Sequence, residues 1–262
     1  MSVAKNRTTL LVLAAMLFCI APHCTAQNSQ IRVAAAADLQ TALPEVAAAF
    51  EASSGTHVEL VFGSSGNFFA QIQNGAPFDL FFSADSDYPQ KLAGSGRALP
   101  NTLMVYGLGR ITLWMSPNSL CDPRRETWKC LSHPSVQKIA IANPAHAPYG
   151  RAALASLRAA GLYDQLKDKL VLGENISQAA QFLQSGNAQA GIIAYSLALS
   201  PAMRNGKWWE IPAGLYPAIE QSAVILKAAK NQQAAREFLT FVIQGPGRAV
   251  LEHYGFLAPA AR

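Results

Sequence analysis

The sequence predicts an α/β protein of two lobes, each a mainly parallel sheet flanked by helices. Three observations carry that expectation. Apolar runs of strand length alternate with helical patterns, which is the signature of a parallel sheet. The same plan of strand, loop and helix recurs in the second half of the chain. The chain has 262 residues, half of them apolar, enough for a sizeable core. In such sheets ligands bind beyond the carboxyl ends of the strands, so the loops that follow strands are where function is sought.

The chain opens with Lys5 and Arg7, an apolar run over residues 10–20, and a small-residue stretch ending at Ala26. That pattern predicts a signal peptide over residues 1–26, cleaved near Ala26, and an exported, soluble mature protein; the apolar run is too short to span a bilayer comfortably. A lipoprotein site at Cys24 is disfavoured by His23 before it. The formal net charge of +5 falls by the two cations of this segment, which holds no acid, to 5 − 2 = +3. So mild an excess, with no run of lysine or arginine, argues against nucleic acid.

Residues 31–33 and the four alanines at 34–37 read as a buried strand whose small residues let something approach the backbone. Asp38 follows, placed to cap a helix reaching Ser53 and ended by Gly55, with Pro44 delaying or kinking its start. A second apolar strand, 58–62, breaks at Gly63, and Ser64 and Ser65 precede a helix over 66–74 stopped by Gly75. Strand, hydroxyl-rich turn and helix make an anion cradle of backbone N–H groups at the positive end of a helix dipole. Two readings stand side by side for these serines: helix caps, or ligands to an anion. Residues 80–82 form the next strand, and 88–96 a short helix.

A crossing between lobes falls near 107–109, followed by a strand over 110–115. Cys121 and Cys130 sit in a polar excursion; in an oxidising compartment the pair predicts a local disulfide, and two further ligands at metal spacing are missing. The second lobe then runs strand 138–141, a proline-stiffened loop, helix 151–160, strand 171–172, helix 177–185 and strand 190–194. A strand over 218–227 returns to the first lobe, and helices over 232–243 and 248–253 end the chain. This divides the mature chain into residues 27–108 with 223–262, and 109–222. Trp208 and Trp209 are expected at an edge or between lobes, the scattered histidines at surface or packing positions, and Arg151 pointing outward.

Seven stretches in order and spacing carry a resemblance: AAAADL at 34–39, FGSSG at 62–66, QNGAPFDLFFSAD at 73–85, NPAHAPYG at 143–150, GENISQA at 173–179, AGIIAYS at 190–196 and GPGRAVLEHYGF at 245–256. Across essentially all of the mature sequence the chain resembles the periplasmic molybdate-binding proteins of ABC importers. The resemblance implies a type II periplasmic-binding-protein fold, two lobes joined by two crossing strands and closing over a tetrahedral oxyanion. It implies a periplasmic location, molybdate or tungstate as ligand, no cofactor, no enzymatic activity, a monomer, and a membrane permease with its cytoplasmic ATPase as partner; phosphate or sulfate is the alternative anion.

Carried over by position, the oxyanion is held by Asp38, Ser65, Tyr149 and Ile176. Ser65 offers its hydroxyl, and Tyr149 and Ile176 their backbone N–H groups. A tyrosine is also usual in the AGIIAYS stretch; without a gap Ala194 stands there, and Tyr195 lies one residue on. Asp38 stands where the best-known members have serine. Either its carboxylate turns aside, capping its helix and leaving only its N–H to the anion, or it accepts a proton from a phosphate-like ligand. No Ser/His/Asp set or carboxylate pair stands out as catalytic, and no histidine has an evident place beside Ser65.

Overall fold

The computed structural model describes residues 29–259; the expected signal segment lies outside them. The chain runs β1 (Gln30–Ala36), α1 (Leu43–Ser54), β2 (His57–Gly63), α2 (Ser65–Gln73), β3 (Leu80–Ser83), α3 (Asp87–Gly94) and β4 (Met104–Gly109). Beyond the crossing come β5 (Ile111–Met115), α4 (Pro123–Glu126), β6 (Ile139–Ala142), α5 (Pro148–Ala159), α6 (Tyr163–Leu166), β7 (Leu170–Gly173), α7 (Ile176–Gln184), β8 (Ala190–Ala194), α8 (Tyr195–Ala198) and β9 (Lys207–Glu210). The chain then returns through β10 (Ile219–Ile225) to α9 (Gln232–Ile243) and α10 (Gly247–His253).

Two five-stranded sheets result, in the orders β2-β1-β3-β10-β4 and β7-β6-β8-β5-β9. In the first, β1 runs parallel to β2 and β3, while β10 is antiparallel to β3 and β4. In the second, β6 is parallel to β7 and β8, and β5 is antiparallel to β8 and β9. The central strands are apolar on both faces because helices cover both faces. In the first lobe Phe50, Phe82 and Phe238 meet edge to face between sheet and helices. β10 joins the first sheet from Ile219, paired with Gly109.

Several expectations change here. Asp38 caps nothing: it lies inside a single 3-10 turn, Ala37–Leu39, and α1 starts only at Leu43 with Pro44 in its first turn. The delayed start follows from that proline, whose ring is tolerated only at a helix's beginning. α5 begins at Pro148, three residues before the expected start, because Pro148 occupies the first helical position, where its missing N–H costs nothing. Trp208 and Trp209 form β9, an edge strand the sequence reading omitted; their rings meet Tyr195 and Trp128. Cys121 and Cys130 are joined, S–S 2.03 Å.

Candidate functional site

Where the carboxyl ends of the two parallel strand sets face one another, a small, tightly closed cavity lies between the lobes. Its walls come from the end of β1 (Ala36) with Ala37 and Asp38, the β2–α2 turn (Gly63, Ser64, Ser65), Ala84, the start of α5 (Ala147, Pro148, Tyr149) and the start of α7 (Asn175, Ile176). Three α-helix N-termini therefore converge on it, together with a 3-10 turn in place of the fourth helix expected after Asp38. A helix's first N–H groups have no intrahelical acceptor, so Ser65, Tyr149 and Ile176 bring unclaimed backbone donors to one place. Among the described residues, no lysine, arginine or histidine lines the cavity. That chemistry, uncharged donors at positive dipole ends, suits an anion.

Neither serine caps α2. Ser65, 1% exposed, accepts the Ala84 N–H at 2.9 Å, which leaves its own proton for a ligand. Ser64 is turned to the other lobe: its Oγ lies 2.8 Å from the His146 carbonyl oxygen and 2.9 Å from His146 Nδ1. The Gly66 N–H donates to the same carbonyl at 3.0 Å, and a Cβ at Gly66 would stand 2.6 Å from it, so this glycine is what lets the lobes approach. Glu174 completes the rim, accepting from Asn67 Nδ2 and lying 3.7 Å from His146 Nε2. A serine, a histidine and a glutamate thus do stand in line, contrary to expectation, but at Ser64 rather than Ser65. The Ser64 hydroxyl is engaged by His146's own backbone carbonyl, which ties it to a lobe contact.

Asp38 is the centre of a buried polar network. Its side chain is wholly enclosed; Oδ2 accepts from the Tyr149 hydroxyl at 2.9 Å and from Gln221 Nε2 at 2.8 Å. Gln221 Nε2 also donates to Tyr149 Oη at 2.8 Å, and its Oε1 accepts from Tyr106 at 2.6 Å, which orients the amide. Oδ1 has no hydrogen-bond partner. Burial pushes the Asp38 carboxyl up to about 6, against the lowering effect of the Gln221 and Tyr149 hydrogen bonds and of its own backbone N–H. Burial, with Asp38 nearby, drives the Tyr149 hydroxyl well above the usual phenol range, so it donates and does not ionise. The Asp38 carbonyl accepts from Ser196, and Ser177 bonds the Ala37 carbonyl and Gln40, further contacts from the second lobe.

Asp38, Ser65, Tyr149 and Ile176 are therefore brought together, and Tyr195 is not. Tyr195 lies outside the cavity wall: its ring stacks on Arg110 (4.1 Å) and meets Trp208, and its N–H donates to the Arg110 carbonyl. Starting α8 directly after β8 fixes that direction. Arg151 points outward as expected: exposed and outside the cavity wall, it reaches across to Asp85 at 2.5 Å and lies over Tyr88. Sequence reading missed Gln221, Tyr106 and His146. Gln221 sat unmarked in an apolar strand pattern, where a lone amide was the available signal.

Residues 31–257 match the family model of the bacterial extracellular solute-binding proteins. The chain is similar to the molybdate-binding protein ModA of Azotobacter vinelandii, 36% identical over 89% of this chain and 92% of the relative. It is 35% identical to ModA of Rhodobacter capsulatus over 88% of this chain and 90% of that one. The solved structure of the Azotobacter vinelandii periplasmic molybdate-binding protein superposes with a TM-score of 0.81 at 34% identity, covering 87% of this chain and 99% of that one.

Proposed function

The chain belongs to the bacterial extracellular solute-binding protein family, and from that premise we propose that it captures molybdate in the interlobe cavity and delivers it to an ABC importer. It is a transport binding protein and not an enzyme, as its family membership implies. Tungstate, of the same shape and charge, belongs to the proposal, as do the periplasmic location, the monomeric state, the permease and ATPase partners, and the division of lobes at 108/109 and 222/223. In the site, Ser65 donates its hydroxyl, and Ser65, Tyr149 and Ile176 offer first-turn N–H groups. The Cys121–Cys130 disulfide staples an excursion of the second lobe away from this cavity.

The observation that carries the reading is the cavity wall itself: three helix N-termini and a free serine proton, from both lobes, with no cation among the described residues. Hydrogen bonds to a charged group contribute roughly 1.5–3 kcal/mol apiece, and each helix terminus roughly 0.3–1 kcal/mol more. A handful of such donors offsets the desolvation of a dianion. Phosphate and sulfate are less favoured, since the relatives that match at 35–36% identity are named for molybdate. Thermal denaturation with molybdate, tungstate, sulfate, phosphate and chromate tests the reading, because a ligand bound only by the folded state raises Tm. Molybdate and tungstate should give the largest rises at equal concentration. A larger rise with phosphate, or none with any tetrahedral anion, overturns it.

A further inference from the structure

Among the groups in the cavity, one has the wrong sign for an anion receptor. The Asp38 side chain is fully enclosed, lines the cavity and, among the described residues, is the only one in its wall that carries a carboxyl, ammonium, guanidinium or imidazole. An ionised carboxylate beside a dianion is repelled, and no cation is present to offset that repulsion. Yet the carboxyl is held in place from both lobes: Tyr149 and Gln221 donate to Oδ2, with the Gln221 amide itself oriented by Tyr106. Both donors converge on one oxygen, and Oδ1 is left buried and without a partner. A buried polar atom without a partner in an otherwise satisfied network marks a place for something absent.

We propose, building on the oxyanion-receptor reading, that Asp38 joins the anion's shell as the neutral acid and donates from Oδ1. Capture of a fully deprotonated tetrahedral dianion then takes up one proton from solvent onto Oδ1; no other bond forms or breaks. The arrangement has the required asymmetry. Oδ2 is saturated with donors and acts only as acceptor, so the proton goes to Oδ1, where it becomes a fifth donor for the ligand. Tyr149 and Gln221 are positioning residues in this scheme, since they fix which oxygen is protonated.

The surroundings contain no other group that does this work. The elements packed around the 3-10 turn carry Tyr149, Arg151 and Arg158 on α5, Tyr106 on β4, Glu220 on β10, Tyr195 on α8, His57 and Glu59 on β2, and Arg32 on β1, while α7 carries nothing titratable. Of these only the Tyr149 hydroxyl touches the carboxyl. Arg151 is paired with Asp85, Arg32 with Glu59, His57 with Glu51, Tyr195 lies under Arg110, and Glu220 accepts from Ser86. Burial already raises Asp38 to about 6 with the cavity empty, in the direction the scheme requires.

The test is calorimetric titration of the mature protein with molybdate at pH 6.5, 7.5 and 8.5, in buffers of different ionisation enthalpy, alongside Asp38→Asn. Molybdate is a dianion at all three values, so a change in affinity reports the protein. The expected result is uptake of close to one proton per anion at pH 7.5 and 8.5, with Kd rising about tenfold per pH unit. Asp38→Asn, whose amide supplies the donor without titrating, should bind with no proton uptake and a flat pH profile. A wild type with flat affinity and no uptake overturns the proposal while leaving the receptor reading intact, as does an Asp38→Asn protein that keeps the slope. A wild type that binds no tetrahedral oxyanion at any pH overturns the receptor reading, and the proposal with it. The wild-type proton count stands by itself if Asp38→Asn does not fold.

Discussion

Replacing Ser65 by alanine removes two interactions of different kinds, and the structure separates them. The Ser65 oxygen accepts the Ala84 N–H at 2.9 Å, with Ala84 2% exposed. Without that acceptor a buried N–H is orphaned, which costs about 1–3 kcal/mol of stability. For a chain of this size that lowers Tm by roughly 2–12 °C. The Ser65 proton, which has the cavity in front of it, is lost to the ligand as well. A hydrogen bond to a charged group contributes about 1.5–3 kcal/mol, so molybdate affinity should fall roughly ten- to a hundredfold. Differential scanning calorimetry without ligand reads the first effect, and isothermal titration well below the lowered Tm reads the second. Ser65→Ala with a reduced Tm but unchanged affinity would show the hydroxyl to be only the Ala84 acceptor, and the ligand assignment would be wrong. An unchanged Tm would refute the other half of the reasoning.

Two further outcomes follow from the same geometry. Asp38 titrates near 6 in the fold against 3.8 as its ordinary value, so the folded state keeps a proton that the unfolded chain releases. The cost of its burial is absent below about pH 4 and grows to roughly 3 kcal/mol as pH rises through 6. Asp38→Asn should therefore raise the ligand-free Tm over wild type at pH 8 and not at pH 4; an equal difference at both refutes the shift. Gly66→Ala places a Cβ against the His146 carbonyl, and should weaken anion binding by hindering lobe closure while ligand-free Tm stays near wild type. Small-angle scattering with saturating molybdate, showing full compaction of the variant, would contradict this.

Much of the architecture was legible in local chemistry. Alternating apolar runs and helical patterns specified the strand and helix order, since period and capping are properties of neighbouring residues. The left-handed Gly55 and Gly75 end α1 and the α2 turn where the sequence put them, because only glycine adopts that backbone cheaply. The turn Gly63-Ser64-Ser65 was readable as a candidate anion cradle from helix-start chemistry, and the starts of α5 and α7 from the family resemblance; those segments line one cavity. What the sequence left open is everything that depends on the second lobe meeting the first. Whether a serine caps its helix or faces a partner depends on what lies across the cleft: Ser64 turns to His146, 82 residues away, and Ser65 to Ala84. The direction of the Asp38 carboxylate was undecidable locally because its partners, Tyr149 and Gln221, are 111 and 183 residues distant. Tyr195 was misplaced for the same reason, settled by its contact with Arg110. Local propensity determines which backbone groups are left unsatisfied, whereas only closure of the lobes decides which side chains a low-dielectric interior forces together.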